Sequence, residues 1–228
     1  MDNREAQVSA IAALGEPTRR RLYDHVVRQP APVGRDDAAE AVGVPRATAA
    51  FHLDRLVDEG LLAVHYERRT GRTGPGAGRP SKLYRRSASS VAVSLPERRY
   101  DLAGDLLAAA VIEAEQSGQS TRAVLDRRAY LRGRELAEAA VAPAAQADGR
   151  ATALRVLEEH GFEPRAEDGE IALVNCPFHA LAQEHTALVC GMNLRLLGGV
   201  LDGIPSAGLV ARLHPAPGRC CVRLAEGT

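Results

Sequence analysis

The chain reads as an α+β protein in three parts, and three observations lead there. Apolar residues at helical spacing fill the first sixty positions. Two strand-like runs then flank a glycine- and arginine-rich stretch, and two long amphipathic helices follow. All four cysteines, Cys176, Cys190, Cys220 and Cys221, lie in the last quarter, where strand runs mix with helices. The parts expected are residues 1–88, 89–145 and 146–228.

Composition sets the frame. A chain of 228 residues, 45% hydrophobic and 25% charged, has enough apolar side chains for a sizeable core. The opening "MDNREAQVSAIAALGEPTRRRL" holds no apolar h-region, and no long apolar run follows, so a cytoplasmic protein without a membrane partner is expected. In that compartment clustered thiols point to metal ligation or redox chemistry rather than structural disulfides. Formal net charge is zero, but it is unevenly spread. Residues 1–88 carry 15 lysines and arginines against 11 acidic residues, and the remainder 14 against 18. That split suits a nucleic-acid-binding head on an acidic body.

The head builds up element by element. A first helix covers Ala6 to Leu14, and "GEPTRRRLYDHVVRQ" starts a second, with Pro17 near its first position and the Thr18 hydroxyl as a cap. After the loop "PAPVGRDD", the short helix "DDAAEAV" stops at Gly43. Then "RATAAFHLDRLVDEGLL" forms a helix with Ala49 or Ala50, Leu53, Leu56 and Val57 on one face. Two helices around a glycine-containing turn make a helix-turn-helix, whose second helix reaches base edges with its first residues. Arg46, Thr48, Ala49, His52 and Arg55 are therefore the candidates for reading double-stranded DNA. The strands "LLAVHYERR" and "KLYRRS", around "TGRTGPGAGRPS", form a hairpin wing in which Arg69, Arg72, Arg79 and Lys82 would neutralise phosphates.

Together "ALGEPTRRRLYDHV", "VPRATAAFHLDRLVDEGLL" and "GRPSKLY" resemble the ArsR-like winged-helix repressors over roughly residues 5–88. The resemblance implies a winged helix-turn-helix fold and regulation of transcription by binding DNA.

In the middle, "SSVAVSL" at 89–95 suits a strand leaving the wing. The amphipathic helix "ERRYDLAGDLLAAAVIEAEQ" follows, with Tyr100, Leu102, Leu106, Leu107, Ala110 and Val111 on its apolar side. A second helix, "STRAVLDRRAYLRGRELAEAAVA", leads into the linker "PAAQADGR" at 143–150. Residues 89–145 are expected to connect and to form a homodimer interface, since helix-turn-helix proteins commonly read palindromes as dimers.

The last part offers a helix, a short strand, a turn at Asp168-Gly169 and a strand from Ile171 to Asn175 that ends at Cys176. A long helix from His179 carries Cys190, and two strands around "HPAPGR" bring in Cys220 and Cys221. Thiolates suit zinc and iron, and they hold iron–sulfur clusters. Neighbouring strand residues point to opposite faces, so one of Cys220 and Cys221 is expected to ligate, with either face open. His179, His185, His214 or an external ligand would supply a fourth position; His179, three residues after Cys176, is the best placed. A nucleophilic Cys176 beside His179 would be the enzymatic alternative, but no orienting group or oxyanion element accompanies it, so no enzyme is expected.

The head, "NCPFH", a helical cysteine and a late cysteine also resemble the regulators that repress Suf-type iron–sulfur assembly operons. That resemblance covers nearly the whole chain. It implies an iron–sulfur cluster, [2Fe-2S] or [4Fe-4S], on Cys176, Cys190 and one of Cys220 and Cys221, in a sensor domain that tunes operator affinity. A small-molecule effector, another metal or thiol oxidation are the alternatives.

Overall fold

The computed structural model describes residues 3–67, 80–141, 148–167, 169–216 and 218–227. They form an α+β protein of two compact units, residues 1–93 and 94–228. No helix among the described residues is long and apolar enough to cross a membrane.

The amino-terminal unit opens with α1 (Asn3–Ala13) and α2 (Pro17–Val27). Glu16, rather than the Thr18 hydroxyl, caps α2: its carboxylate accepts the backbone N–H groups of Thr18 at 2.9 Å and Arg19 at 2.6 Å. A short strand β1 (Val33–Gly34) precedes α3 (Arg35–Val42). Gly43 ends α3 in the left-handed conformation at φ 70°, which a glycine adopts without strain. The chain then turns through Val44 and Pro45 into α4 (Arg46–Asp58). That helix buries Ala49, Leu53 and Leu56 in a core shared with Leu22, Val26, Ala38, Ala39 and Val42. The hairpin strands β2 (Leu62–Glu67) and β3 (Ser81–Arg86) pair antiparallel, with Val64 opposite Tyr84, and β3 lies between β1 and β2. The wing tip, and with it Arg69, Arg72 and Arg79, lies outside the described residues.

Residues 89–95 form no strand, against expectation. Both edges of β3 are already taken, and only Val91 of this segment packs on the amino-terminal core.

The carboxyl-terminal unit contains α5 (Tyr100–Ser117), α6 (Thr121–Val141), α7 (Gly149–Glu159), α8 (His179–Glu184) and α9 (Thr186–Gly203). Its antiparallel sheet runs β4-β5-β7-β6, from Pro164–Glu167, Glu170–Leu173, Val222–Glu226 and Leu209–Leu213 respectively. The expected separation of a helical connector, 89–145, from a cysteine domain, 146–228, does not hold. Leu106 of α5, Val124 and Leu125 of α6, Phe178, Met192 and Leu197 near and on α9, and Val222 and Leu224 of β7 share one core. An amphipathic helix must bury its stripe somewhere, and α5 and α6 bury theirs here. The stripe of α5 is narrower than expected: Leu102, Ala103, Leu106 and Ala110 are buried, whereas Tyr100 and Val111 are exposed.

Helices α6 and α9 cross closely. A Cβ at Gly133 would stand 2.0 Å from the Leu196 carbonyl oxygen, and one at Gly199 2.0 Å from that of Tyr130. The helix expected from His179 onward is interrupted at His185, where φ is −125° and ψ 47°, and the Thr186 hydroxyl donates to the Ala182 carbonyl at 2.7 Å.

Candidate functional site

Two groups of residues carry chemistry, one in each unit. In the first, α4 turns its buried stripe inward, so positions about half a turn away face out: Ala47, Phe51 and Asp58, with Asp54 half-buried beside them. Arg46 and Arg55 lie on the exposed side. Arg46 pairs with Asp36 at 2.6 Å, and Arg55 pairs with Glu59. The Arg46–Asp36 pair is exposed on both sides and holds by a fraction of a kcal/mol, about 0.2–1, so Arg46 is free to exchange its partner for phosphate; Arg55 is half exposed beside the more buried Glu59. Thr48 is half-buried.

Two expected contacts are corrected. Ala49 is 0% exposed, because the core claims it, and it has no face left for a base. The His52 side chain is 13% exposed and leans towards the α2 cap, its Nδ1 3.6 Å from Glu16 Oε2 and without a hydrogen bond. The backbone N–H of Thr18 leads the effects that hold the Glu16 carboxyl below its ordinary pKa, against the opposing pull of desolvation; the Arg19 N–H and His52 add to the lowering.

Lys82 of β3 reaches Asp54 of α4 at 2.6 Å, and the Tyr84 hydroxyl donates to the same carboxylate oxygen at 2.7 Å. Burial alone would raise the Asp54 pKa, but the hydrogen bonds from Lys82 and Tyr84 outweigh it and the net direction is down. For Tyr84, burial and then the bond to Asp54 push the pKa up. The folded unit therefore keeps this proton longer than the unfolded chain does, whose tyrosines titrate near pH 10. Its contribution is full below about pH 10 and falls as pH rises beyond it. Tyr84→Phe is expected to cost about 1–2 kcal/mol at neutral pH and to flatten that alkaline fall. Urea unfolding at neutral pH and at about pH 11 measures both.

Phe51 was not among the residues picked from the sequence, yet it is 67% exposed at the middle of α4. The signal was present: with Ala49, Leu53 and Leu56 inward, position 51 has to point out.

The second group gathers the cysteines. Cys176 follows β5, Cys190 sits on α9, and Cys220 and Cys221 lead into β7. Cys176, Cys190, Cys221 and His179 line one cavity of about 370 Å³, together with Gln183 and Arg219. His185 and His214 do not line it. Cys190 and Cys221 are joined in a disulfide with a Cα–Cα distance of 6.3 Å, in the usual range for such bonds. Cys220 takes the opposite side of the adjacent pair and is buried with Val222 and Leu224, as strand alternation requires. Its thiol neighbours that of Cys176 and receives the Asn193 amide at 3.2 Å. The contact from Cys220, opposed by burial and aided by the Phe178 N–H and the charge of Arg98, holds the Cys176 pKa below its ordinary value. The same contact and burial push Cys220 up. Among the described residues, no set of three or more histidine, cysteine and acidic side chains is ready-made for a metal ion.

A network that sequence reading missed holds the Cys176 loop. Asn175 donates to the carbonyls of Glu97 at 3.0 Å and Gly161 at 2.6 Å, and it accepts from Arg98. Arg98 also donates to the Cys176 carbonyl at 3.3 Å, and the Arg99 N–H donates to Pro177 at 3.0 Å. Neither an asparagine nor an arginine stands out in a sequence; only their meeting across 77 positions does.

A helix, a glycine turn, an exposed second helix and a basic hairpin define a DNA-binding protein of the helix-turn-helix class. In agreement, residues 14–65 match the family described as a helix-turn-helix domain. No curated protein matches the chain, and neither does any solved structure.

Proposed function

We propose that this protein is a transcriptional repressor, not an enzyme, that binds DNA as a homodimer and whose cysteine site holds an iron–sulfur cluster. The observation that carries the cluster reading is the convergence of Cys176, Cys190 and Cys221 from three separate elements on one cavity, with His179 beside them. Three sulfur donors and an imidazole fit the ligand chemistry of iron–sulfur centres, provided the Cys190–Cys221 bond is reduced. When bound, the cluster would supply a link among these elements that oxygen and redox state can break.

The chain's own groups prepare the site. Cys220 and the Phe178 N–H stabilise the Cys176 thiolate, and Arg98 adds positive charge nearby. With the three cysteines held to one centre, the loop after β5, α9 and the lead into β7 would move as one. Once released, they would relax independently. Arg98 and Asn175 tie that loop to residues 97–99, which precede α5 and follow the DNA-binding unit in the chain. Coupling of this kind typically changes affinity about 5–150-fold. For the homodimer, Val111 and Ile112 of α5 and Leu131 of α6 offer exposed apolar surface.

Anaerobic purification with assays for iron, acid-labile sulfide and visible absorption tests the reading. Cys176→Ser, Cys190→Ser and Cys221→Ser are each expected to lose iron and sulfide, whereas Cys220→Ser retains most of both. Loss in Cys220→Ser equal to the others would move the ligand to the buried cysteine. A colourless protein after anaerobic reconstitution would end the cluster proposal.

One observation favours a second reading: Cys190 and Cys221 are already paired. A peroxide could take two electrons and two protons from these thiols, forming the disulfide and water. A colourless protein in which reduction exposes two further alkylatable thiols, with altered DNA affinity, would support it.

A further inference from the structure

Phe51 leaves most of its ring in water while the same helix buries Leu53 and Leu56 completely. It is not an isolated surface residue on an incidental face. It occupies the centre of the exposed side of α4, one turn from Ala47 and one turn from Arg55. Ala47 and the half-buried Ala50 are small, so nothing tall stands beside the ring on its amino-terminal side. Behind it, His52 meets the ring edge-to-face, with centroids 5.2 Å apart and planes at 67°. His52 is itself held inward near Glu16, so it supports Phe51 rather than competing for the same ligand. Asp54, which would otherwise repel phosphates near the ring, is occupied by Lys82 and Tyr84.

We propose that Phe51 reads sequence by packing its ring on the 5-methyl group of a thymine in the major groove. This rests on the helix-turn-helix domain binding DNA. In the major groove thymine presents the only methyl among the four bases, and an exposed phenylalanine on a reading helix is one of the few side chains that recognise it without a hydrogen bond. The surrounding cations take the other part of the work. Arg46, in a weak exposed ion pair, and Arg55, half exposed beside Glu59, supply backbone or base-edge contacts that carry no preference for a methyl group. Phe51 thus accounts for a large exposed apolar side chain that the sequence candidates Arg46, Thr48, Ala49, His52 and Arg55 did not include.

The test uses the full-length protein and a randomised library of double-stranded DNA. The tightest duplex recovered is resynthesised with each thymine of the enriched motif replaced in turn by deoxyuridine, which removes the methyl and leaves base pairing intact. The wild type is expected to bind roughly four-fold more weakly when one particular thymine loses its methyl, the effect of burying one such group. Phe51→Ala is expected to bind the thymine and deoxyuridine duplexes equally, while its loss of affinity with rising salt stays that of the wild type. Phe51→Leu, which keeps an apolar contact, should retain part of the difference. If no thymine shows a methyl effect, or if Phe51→Ala shows the same one as the wild type, the assignment is wrong although DNA binding stands. If the library yields no enriched duplex at all, DNA reading itself fails and the assignment falls with it.

Discussion

Gly199→Ala is expected to destabilise the carboxyl-terminal unit strongly even though alanine is the better helix former. In an exposed helix the exchange gains about 1 kcal/mol, because glycine has more backbone freedom to lose. At Gly199 the new Cβ would stand 2.0 Å from the Tyr130 carbonyl oxygen and 2.9 Å from its carbon, both backbone atoms of α6. No rotamer relieves such an overlap, so α6 and α9 would have to separate and open the core between them. The expected cost is about 3 kcal/mol or more, the upper range for overpacking, against a typical domain stability of about 5–15 kcal/mol. Gly198→Ala is the control: it lies in the same helix, its Cβ would meet nothing within 4 Å, and it should stabilise the unit slightly. Urea unfolding, with hydrogen exchange of peptides from α6 and α9, separates the two outcomes. Equal stability of the two variants would mean that α6 and α9 leave room for a methyl group at Gly199.

Asn175→Ala is expected to produce the largest combined effect on stability and regulation. Asn175 is 7% exposed, and its amide serves two carbonyls, Glu97 and Gly161, while its oxygen receives Arg98. Removal leaves the Gly161 carbonyl without this partner in a place water reaches poorly, whereas the Glu97 carbonyl still accepts from Arg98, and Arg98 still donates to the Cys176 carbonyl. At about 1–3 kcal/mol for a buried group left unsatisfied, together with the lost hydrogen bonds to Glu97 and Arg98, a loss of about 2–3 kcal/mol follows. Hydrogen exchange should rise in residues 97–100 and in the Cys176 loop before it rises in α6 and α9. If the cysteine site regulates DNA affinity as proposed, the variant should also bind DNA with the same affinity whether the site is loaded or empty. A loss below about 1 kcal/mol, with that difference in affinity intact, would show that the network carries neither function.

Much of the amino-terminal unit was legible residue by residue. The stripe of Ala49, Leu53 and Leu56, the stop at Gly43 and the two strands of the wing all follow from rules that act over a few neighbours. Errors entered where two rules competed for one side chain. Ala49 belongs both to the amino end of α4 and to its buried stripe, and burial won. His52 lies off the stripe, yet Glu16 draws it inward. Phe51 was absent from the expected readers, although the same helical geometry turns it outward.

In the carboxyl-terminal unit the sequence by itself determined most of the elements, though not the break at His185, and that every thiol belongs to one region. Local periodicity and composition contain that much. Tertiary structure decided the rest. The register of β7 against β5, with Ile171 opposite Leu224, sets which of two adjacent cysteines enters the core. Cys221 thereby reaches Cys190 across 31 residues, and Cys220 is left to meet Cys176 and Asn193. The packing of α5 and α6 with α9 merged an expected connector into the same core. These outcomes depend on contacts between residues far apart in the chain, and such contacts exist only once the separate amphipathic faces have chosen one another.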